Sequence, residues 1–556
     1  MKRIEDESGN GKSLSVVRLA SCIALFAGTG LAAQAAYADS CANLASLQLT
    51  NTTITTAQSV TSGSFTPPGT ATPITNLPDF CRVAAFSAPT SDSHIQFEVW
   101  IPQSGWNGKY LQAGCGGFCG SITYANMAEA LRRGYAVAAT DDGHVASGTD
   151  ASWAVGHPEK IVDFGYRALK VTTDNAKAII AAFEFSQPTR SYFFGCSDGG
   201  REALMEAQRY PHDFDGIIVG SPANAWAPLL TGFIWNVLAQ TETSDSALTV
   251  AEQSVLSNAV LAKCAGRDGG LAADQFLNNP LQCRFNPETL LCKGNQTTNC
   301  LSQAKIDTIK KINSGPPAIF PGYVTNQGTE AVIADWPAWI TGDGTPTTSL
   351  QWAFGTSFFA NMVFPNTGWT PTSTGIVQDV RVAERKLSFL SSDNPDLGHF
   401  RARGGKMIQY AGWSDSAISP QNDLNYYSAV ARRAGGLAET QRFYRLFMVP
   451  GMAHCAGGPG ANAFGNAFGL NGPNPSDPAD DVLAALEHWV EHGVAPHTIV
   501  ATKYVNDDPA SGIAFQRPLC LFPQVAKYRG SGDPTVAENW KCVAEHGHDH
   551  DHDRRH

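Results

Sequence analysis

The chain has 556 residues, 43% of them hydrophobic and only 16% charged, so it can bury a sizeable core and fits one large domain with an insertion, or two domains. A formal net charge of -11 at pH 7, with no basic patch, argues against a nucleic acid or an anionic membrane as partner. The 53 glycines and 32 prolines imply many loops in a globular chain rather than disorder.

Lys2, Arg3, Lys12 and Arg18 precede an apolar stretch from Leu19 to Leu31, and Ala36-Tyr37-Ala38 has the small-x-small form of a cleavage site. This predicts a signal peptide over 1–38, a mature chain beginning near Asp39, and a secreted or periplasmic protein. Gly28 and Gly30 break the apolar stretch, which is shorter than the roughly 20 residues a membrane span needs. Leu19-Ala20-Ser21-Cys22 imitates a lipoprotein box, but the apolar run follows Cys22 instead of preceding it. Removing Cys22 leaves Cys41, Cys81, Cys115, Cys119, Cys196, Cys264, Cys283, Cys292, Cys300, Cys455, Cys520 and Cys542, an even set that reads as disulfide-bonded in an exported chain.

Along the mature chain, "QFEVWIP" (96–102), "KYLQAG" (109–114) and "YAVAATDDGH" (135–144) read as strands, and "MAEALRRG" and "GYRALKVTTDNAKAIIAAF" as helices. "SYFFG", "GREALMEAQRYP" and "FDGIIVGSPA" continue the alternation, which predicts an α/β fold with a largely parallel sheet covered on both faces. The rhythm stops over 226–399, where cysteine-rich loops and Gly, Pro and Thr predominate, and returns at "GGKMIQYAGWSD", "RFYRLFMVPGMAHC" and "DPADDVLAALEHWVEHG". The organisation expected is a core over 39–225, an inserted lid-like domain over 226–399, a second core part over 400–545, and a His/Asp-rich tail over 546–556.

Gly195-Cys196-Ser197-Asp198-Gly199 is a G-x-S-x-G pattern between a strand and a helix, the turn that lifts a serine hydroxyl clear of a sheet. A serine needs a histidine to take its proton and a carboxylate to fix that histidine's tautomer. Of the 14 histidines, five lie in the tail, His488 and His492 lie on a solvated helix face, and His94 and His157 lie in polar loops. His454, in a glycine-rich loop after a strand, is the candidate base. Asp415 follows the strand before it and completes the chain order Ser, Asp, His; Asp198 is the rival carboxylate and is assigned a backbone role. Cys196 precedes the serine and Cys455 follows the histidine, so a bond between them would tie nucleophile to base, whereas pairing elsewhere would leave both structural.

"GCSDGGREAL", "GWSDSAISP" and "PGMAHCAGGPG" together resemble the tannase and feruloyl esterase family, secreted serine esterases with an α/β-hydrolase core and a large inserted lid domain. The resemblance runs from "LPDFCRV" to the C-terminal cysteines. It implies Ser197 as nucleophile, Asp415 as orienter, His454 as base and a Cys196–Cys455 disulfide. It further suggests Cys41–Cys81, Cys264–Cys283, Cys292–Cys300 and Cys520–Cys542, which leaves Cys115 and Cys119 for each other. "GCGGFCG" (114–120) stands where an oxyanion loop is required, with Gly117 and Asp198 as the N–H donors. No cofactor is required for this chemistry. The family's lid commonly carries a structural calcium loop, of which Asp268 and Asp274 remain here, with alanine in place of an early aspartate.

Residues 312–380 carry Trp336, Trp339, Trp352, Phe354, Phe358, Phe359, Phe364 and Trp369 and no lysine, arginine or histidine. Trp352, Phe358 and Phe359, with Ile418 after the acid, are the candidate acyl-binding side chains. The expected partner is therefore a small aromatic ester of the hydroxycinnamoyl or galloyl kind. The alternatives are a mono(2-hydroxyethyl) terephthalate hydrolase-like esterase, whose substrate carboxylate needs a cation, and a non-catalytic extracellular binding protein on a hydrolase scaffold. A thiol oxidoreductase using Cys115 and Cys119 is a further class, less simple than a structural bridge.

Overall fold

The computed structural model describes residues 40–323, 327–372, 374–466 and 470–544; the expected signal peptide over 1–38 and the expected tail over 546–556 lie outside the described residues. Nine strands form one sheet: β1 (Thr52–Val60), β2 (Phe80–Ser87), β3 (Ile95–Pro102), β4 (Lys109–Ala113), β5 (Ala136–Thr140), β6 (Arg190–Cys196), β7 (Gly216–Gly220), β8 (Lys406–Gly412) and β9 (Tyr444–Val449). Their spatial order is β1-β2-β3-β5-β4-β6-β7-β8-β9. From β5 to β9 every neighbouring pair is parallel, as the strand-helix alternation predicts. The other end is antiparallel, β1 with β2, β2 with β3 and β3 with β5; the seven-residue link between β2 and β3 is too short for a crossover helix.

The sheet is buried on both faces, and the period-2 alternation of its strands sorts side chains between two cores. Phe97, Val99 and Ile101 of β3 join one hydrophobic cluster while Trp100 joins the other; Ala136 and Ala138 of β5 face one way, Val137 and Ala139 the other. Helices α1 (Tyr124–Arg132), α2 (Ala168–Glu184) and α3 (Asp198–Arg209) belong to the first half of the chain. Between β7 and β8 the chain adds no strand to the sheet and instead forms α4 (Trp226–Thr241), α5 (Val250–Cys264), α6 (Gln303–Ser314), α7 (Leu350–Ser357) and α8 (Ile376–Leu387). Helices α9 (Pro420–Ala434) and α10 (Val482–His492) complete the cover. Leu204 of α3, Ile179 of α2 and Tyr427 of α9 pack on one face, and Leu131 of α1 and Trp489 of α10 on the other.

Six disulfides join Cys41–Cys81, Cys115–Cys119, Cys196–Cys455, Cys264–Cys283, Cys292–Cys300 and Cys520–Cys542, the pairs the family resemblance implies. Phe358 and Phe359 of the insertion are fully buried in a cluster that also takes in Phe118, Phe164 and Ile418 from outside it.

Candidate active site

Ser197 sits between the end of β6 and the start of α3 with φ 66° and ψ −121°, a conformation that costs on the order of 1–3 kcal/mol for a residue with a side chain. The turn is held by its backbone: Ser197 N–H donates to Gly220 O at 3.0 Å, and Ser197 O accepts from Ala223 N–H at 3.0 Å and Arg201 N–H at 3.1 Å. The flanking glycines are required by close approach. A Cβ on Gly195 would lie 2.3 Å from Gly199 O, and one on Gly199 would lie 2.7 Å from Cys115 O.

The segment after β4 runs alongside this turn. Gly199 N–H donates to Cys115 O at 2.9 Å, Cys115 N–H donates to the Glu202 carboxylate at 3.0 Å, and the Cys115–Cys119 bridge closes the loop. Phe118 N–H is committed to Gly148 O at 2.7 Å and Cys119 N–H to Gly116 O at 3.0 Å. Among the described residues, the N–H groups of Gly117 and Asp198 find no acceptor, and both residues border the same pocket as Ser197. Two free N–H groups beside a serine at a helix N-terminus are the chemistry an oxyanion requires.

Asp415 and His454 follow β8 and β9, two strands and three strands from β6, at the same edge of the sheet. Ser414 N–H donates to Met452 O at 3.1 Å, stitching the acid turn to the histidine loop. His454 Nδ1 lies 2.8 Å from Asp415 Oδ2, while Asp415 Oδ1 accepts from Ala417 N–H at 2.9 Å and Ile418 N–H at 2.8 Å. With Nδ1–H committed to the buried carboxylate, Nε2 is left as an acceptor. The Cys196–Cys455 disulfide, Cα–Cα 6.0 Å, links the neighbours of Ser197 and His454 across 259 residues of sequence. His454 Nε2 is 3.7 Å from Cys455 Sγ, and among the described residues no hydrogen bond joins it to Ser197 Oγ; such bonds commonly tighten once substrate is bound. Replacing Cys196 and Cys455 together with alanine is expected to lower kcat at least tenfold. In the chain-entropy view it also removes about 5 kcal/mol of stability. Esterase rates in native buffer and urea melts read the two effects separately, and unchanged rates would dismiss the bridge as a positioning device.

The pocket above Ser197 is walled by Phe118 and Trp226, Leu229, Leu230 and Phe233 of α4, Trp339, Phe354 of α7, and Ala417 and Ile418. Trp339 meets His454 edge to face, ring centroids 5.0 Å apart. Tyr323 and Gln351 reach from the insertion to the acid loop, each donating to Ser416 O, at 2.7 and 2.9 Å. Of the expected acyl-binding residues, Ile418 borders the pocket. Trp352, Phe358 and Phe359 do not; Phe359 stacks on Trp369 and packs edge to face against Phe358. Phe354 of α7 is the side chain of this stretch that borders the pocket; Trp352, two residues earlier, stands on the far side of the helix, and Phe358 and Phe359 open a π-helical segment (Phe358–Val363) beyond α7 that breaks the α-helical spacing.

Asp268 and Asp274 do not fit a calcium site. Asp268 accepts from Gly270, Asn278 and Asn279 N–H groups, and Asp274 accepts from Leu271 N–H at 2.9 Å and from Arg517 Nη2 at 3.4 Å. These oxygens face donors, and the Arg517 guanidinium supplies the positive charge.

Residues without a sequence signal support the site from beneath. His144 is buried, stacked on Trp153 with centroids 3.7 Å apart, and burial pushes its pKa down to about 4. The neutral ring donates Nε2–H to Phe118 O at 2.7 Å and so steadies the loop that carries Gly117. Asp142 and Glu202 lie deeper still; each is one acidic residue among 50, and they meet because the turn after β5 passes beside the start of α3.

A largely parallel sheet with a serine on a strained strand-to-helix turn, an acid and a histidine after later strands, and helices on both faces define an α/β-hydrolase fold. Residues 81–543 match the family described as tannase and feruloyl esterase, and the chain belongs to it. A curated relative, an uncharacterized esterase of Xanthomonas campestris pv. campestris, is 44% identical over 530 residues, covering 90% of this chain and 91% of the relative. A probable feruloyl esterase B-2 of Aspergillus terreus is 33% identical over 481 residues, covering 84% and 86%. The crystal structure of feruloyl esterase B from Aspergillus oryzae superposes with a TM-score of 0.82 at 30% identity, over 91% of this chain and all of that one. The chain is accordingly an esterase.

Proposed function

We propose that the protein is an exported serine carboxylesterase that hydrolyses esters of aromatic acids through an acyl-serine intermediate. The observation that carries this reading is the junction of Ser197 and His454 by the disulfide between their neighbours, with His454 hydrogen-bonded to a buried Asp415. Ser197 Oγ attacks the ester carbonyl as His454 Nε2 takes its proton. The oxyanion forms against Gly117 and Asp198 N–H, each donor worth roughly 3 kcal/mol. Collapse expels the alcohol, which receives the proton from His454, and a water activated by the same nitrogen releases the acid. The insertion over 226–399 acts as the lid, since its aromatic and aliphatic side chains form most of the acyl wall.

The wall also supports a substrate class. Its side chains are apolar, and among the described residues no cation borders the pocket. Arg267 and Arg284 border a different groove, beside Phe522 and Lys527. A free carboxylate at the far end of an acyl ring would be desolvated there without a partner, at a cost of several kcal/mol. Methyl esters of neutral hydroxycinnamic or gallic acid are therefore expected to be cleaved with kcat/KM at least tenfold above that of a terephthalate half-ester. Steady-state kinetics on that panel, with stopped-flow release from a nitrophenyl ester to detect the acyl-enzyme burst, tests both claims. A half-ester preferred over the neutral esters would reverse the specificity, and absence of turnover on every ester would reject the function. Six disulfides and the signal-like 1–38 segment support a secreted or periplasmic location.

A further inference from the structure

Beneath the oxyanion loop, Asp142, Asp198 and Glu202 bring carboxylate oxygens within 4.8 Å of one another and of the Cys115 and Cys119 sulfurs. All three carboxyl groups are buried, at 0%, 1% and 0% exposure. Among the described residues one cation faces them. Arg201, itself fully buried, pairs with Asp198 and gives its other N–H groups to Phe164 O and Gly165 O, each at 3.0 Å, and to Leu390 O at 3.4 Å. Glu206, one turn further along α3, adds a fourth carboxyl to the field without approaching the cluster's hydrogen bonds. Three ionised carboxylates against one guanidinium would leave two uncompensated charges in a dry interior, and Asp142 and Glu202, whose carboxylate oxygens lie within 4.8 Å of each other, repel unless one keeps a proton.

Glu202 also ties the two halves of the oxyanion hole together. It lies five residues after Ser197, and its Oε2 accepts from the N–H of Cys115, two residues before Gly117. Resting on the serine mechanism above, we infer that Glu202 is a positioning residue for the oxyanion hole, and that protonation of the Asp142–Glu202 pair limits the negative charge beneath the oxyanion. Burial, then repulsion from Asp198, pushes the Glu202 pKa up to about 7, and burial with Glu202 beside it holds Asp142 well above the usual carboxylate range. As pH rises past neutrality Glu202 gives up its proton, the field under the hole becomes more negative, and acylation slows. The same shift works on stability. An acid whose folded pKa is raised is protonated in both states below about pH 4.5; as pH climbs towards 7 the unfolded chain ionises first, so stability falls and stays lowered above.

The test is the pH dependence of kcat on a neutral aromatic ester, with thermal melts, for the full chain and for Glu202→Gln and Glu202→Ala. Wild-type kcat is expected to drop at least fivefold from pH 7 to pH 9, whereas Glu202→Gln, which can still accept from Cys115 and donate to Asp142, drops less than twofold. Glu202→Gln should melt higher than wild type at pH 8 and level with it at pH 4.5. Glu202→Ala should lower kcat with little change in KM, and glutamine should restore it. An alkaline drop of equal size in wild type and Glu202→Gln, or none in wild type, overturns the inference. If Glu202→Gln does not fold, Asp142→Asn must flatten the profile in its place, and an unaltered profile there overturns it equally. An inactive wild type would instead reject the esterase reading, leaving the melts to decide on the proton.

Discussion

Ser197→Ala is expected to lower kcat by about 10⁴-fold or more while leaving the fold intact. The reason for expecting both lies in what the turn uses. Its three hydrogen bonds, to Gly220, from Ala223 and from Arg201, involve only the backbone of residue 197, and alanine meets the same steric penalty at φ 66° as serine does. The Oγ has no hydrogen bond of its own among the described residues, so nothing structural is lost with it. Melting within about 2 °C of wild type, with the burst of acyl-enzyme abolished, is the expected pair of results. A folded Ser197→Ala chain that keeps one hundredth of the wild-type rate would show that another group attacks the ester.

Much of this arrangement was legible before any coordinates. The strand-helix alternation from "KYLQAG" to "FDGIIVGSPA" pointed to the parallel part of the sheet because buried strands and amphipathic helices have different periods. β1 went unread: "TTITTAQSV" is a run of polar β-formers at an edge, and it declares itself only by pairing with β2. The triad candidates were recoverable because each follows a strand in the order the fold demands, and local turn chemistry marks where a strand ends. The acyl pocket was not. Aromatic composition showed that the insertion is rich in rings, but it could not say that Phe354 faces Ser197 while Phe358 and Phe359 fill a core, because rotation of a short helix about its axis is set by its neighbours. Nor could it show Glu202 meeting Asp142, or Arg517 standing by Asp274, since both contacts join distant segments.

Asp415→Asn is expected to cost about 10⁴-fold in kcat with KM little changed, through the tautomer of His454. In the native site one carboxylate oxygen accepts from the N–H groups of Ala417 and Ile418 and the other from His454 Nδ1–H. An asparagine that keeps its Oδ1 on the two backbone donors must turn its Nδ2 towards the imidazole. Two donors then face each other, and the ring relieves the conflict by moving its proton to Nε2. The nitrogen that should receive the Ser197 proton now carries one and cannot act as a base. Flipping the amide is no remedy, because Nδ2 would then confront both backbone N–H groups inside a site where Asp415 is only 1% exposed. The variant should therefore fold and bind ester yet turn over slowly, and ring-nitrogen NMR of His454 should find the proton moved from Nδ1 to Nε2. A near-normal rate with Nδ1 still protonated would pass the orienting role to another carboxylate.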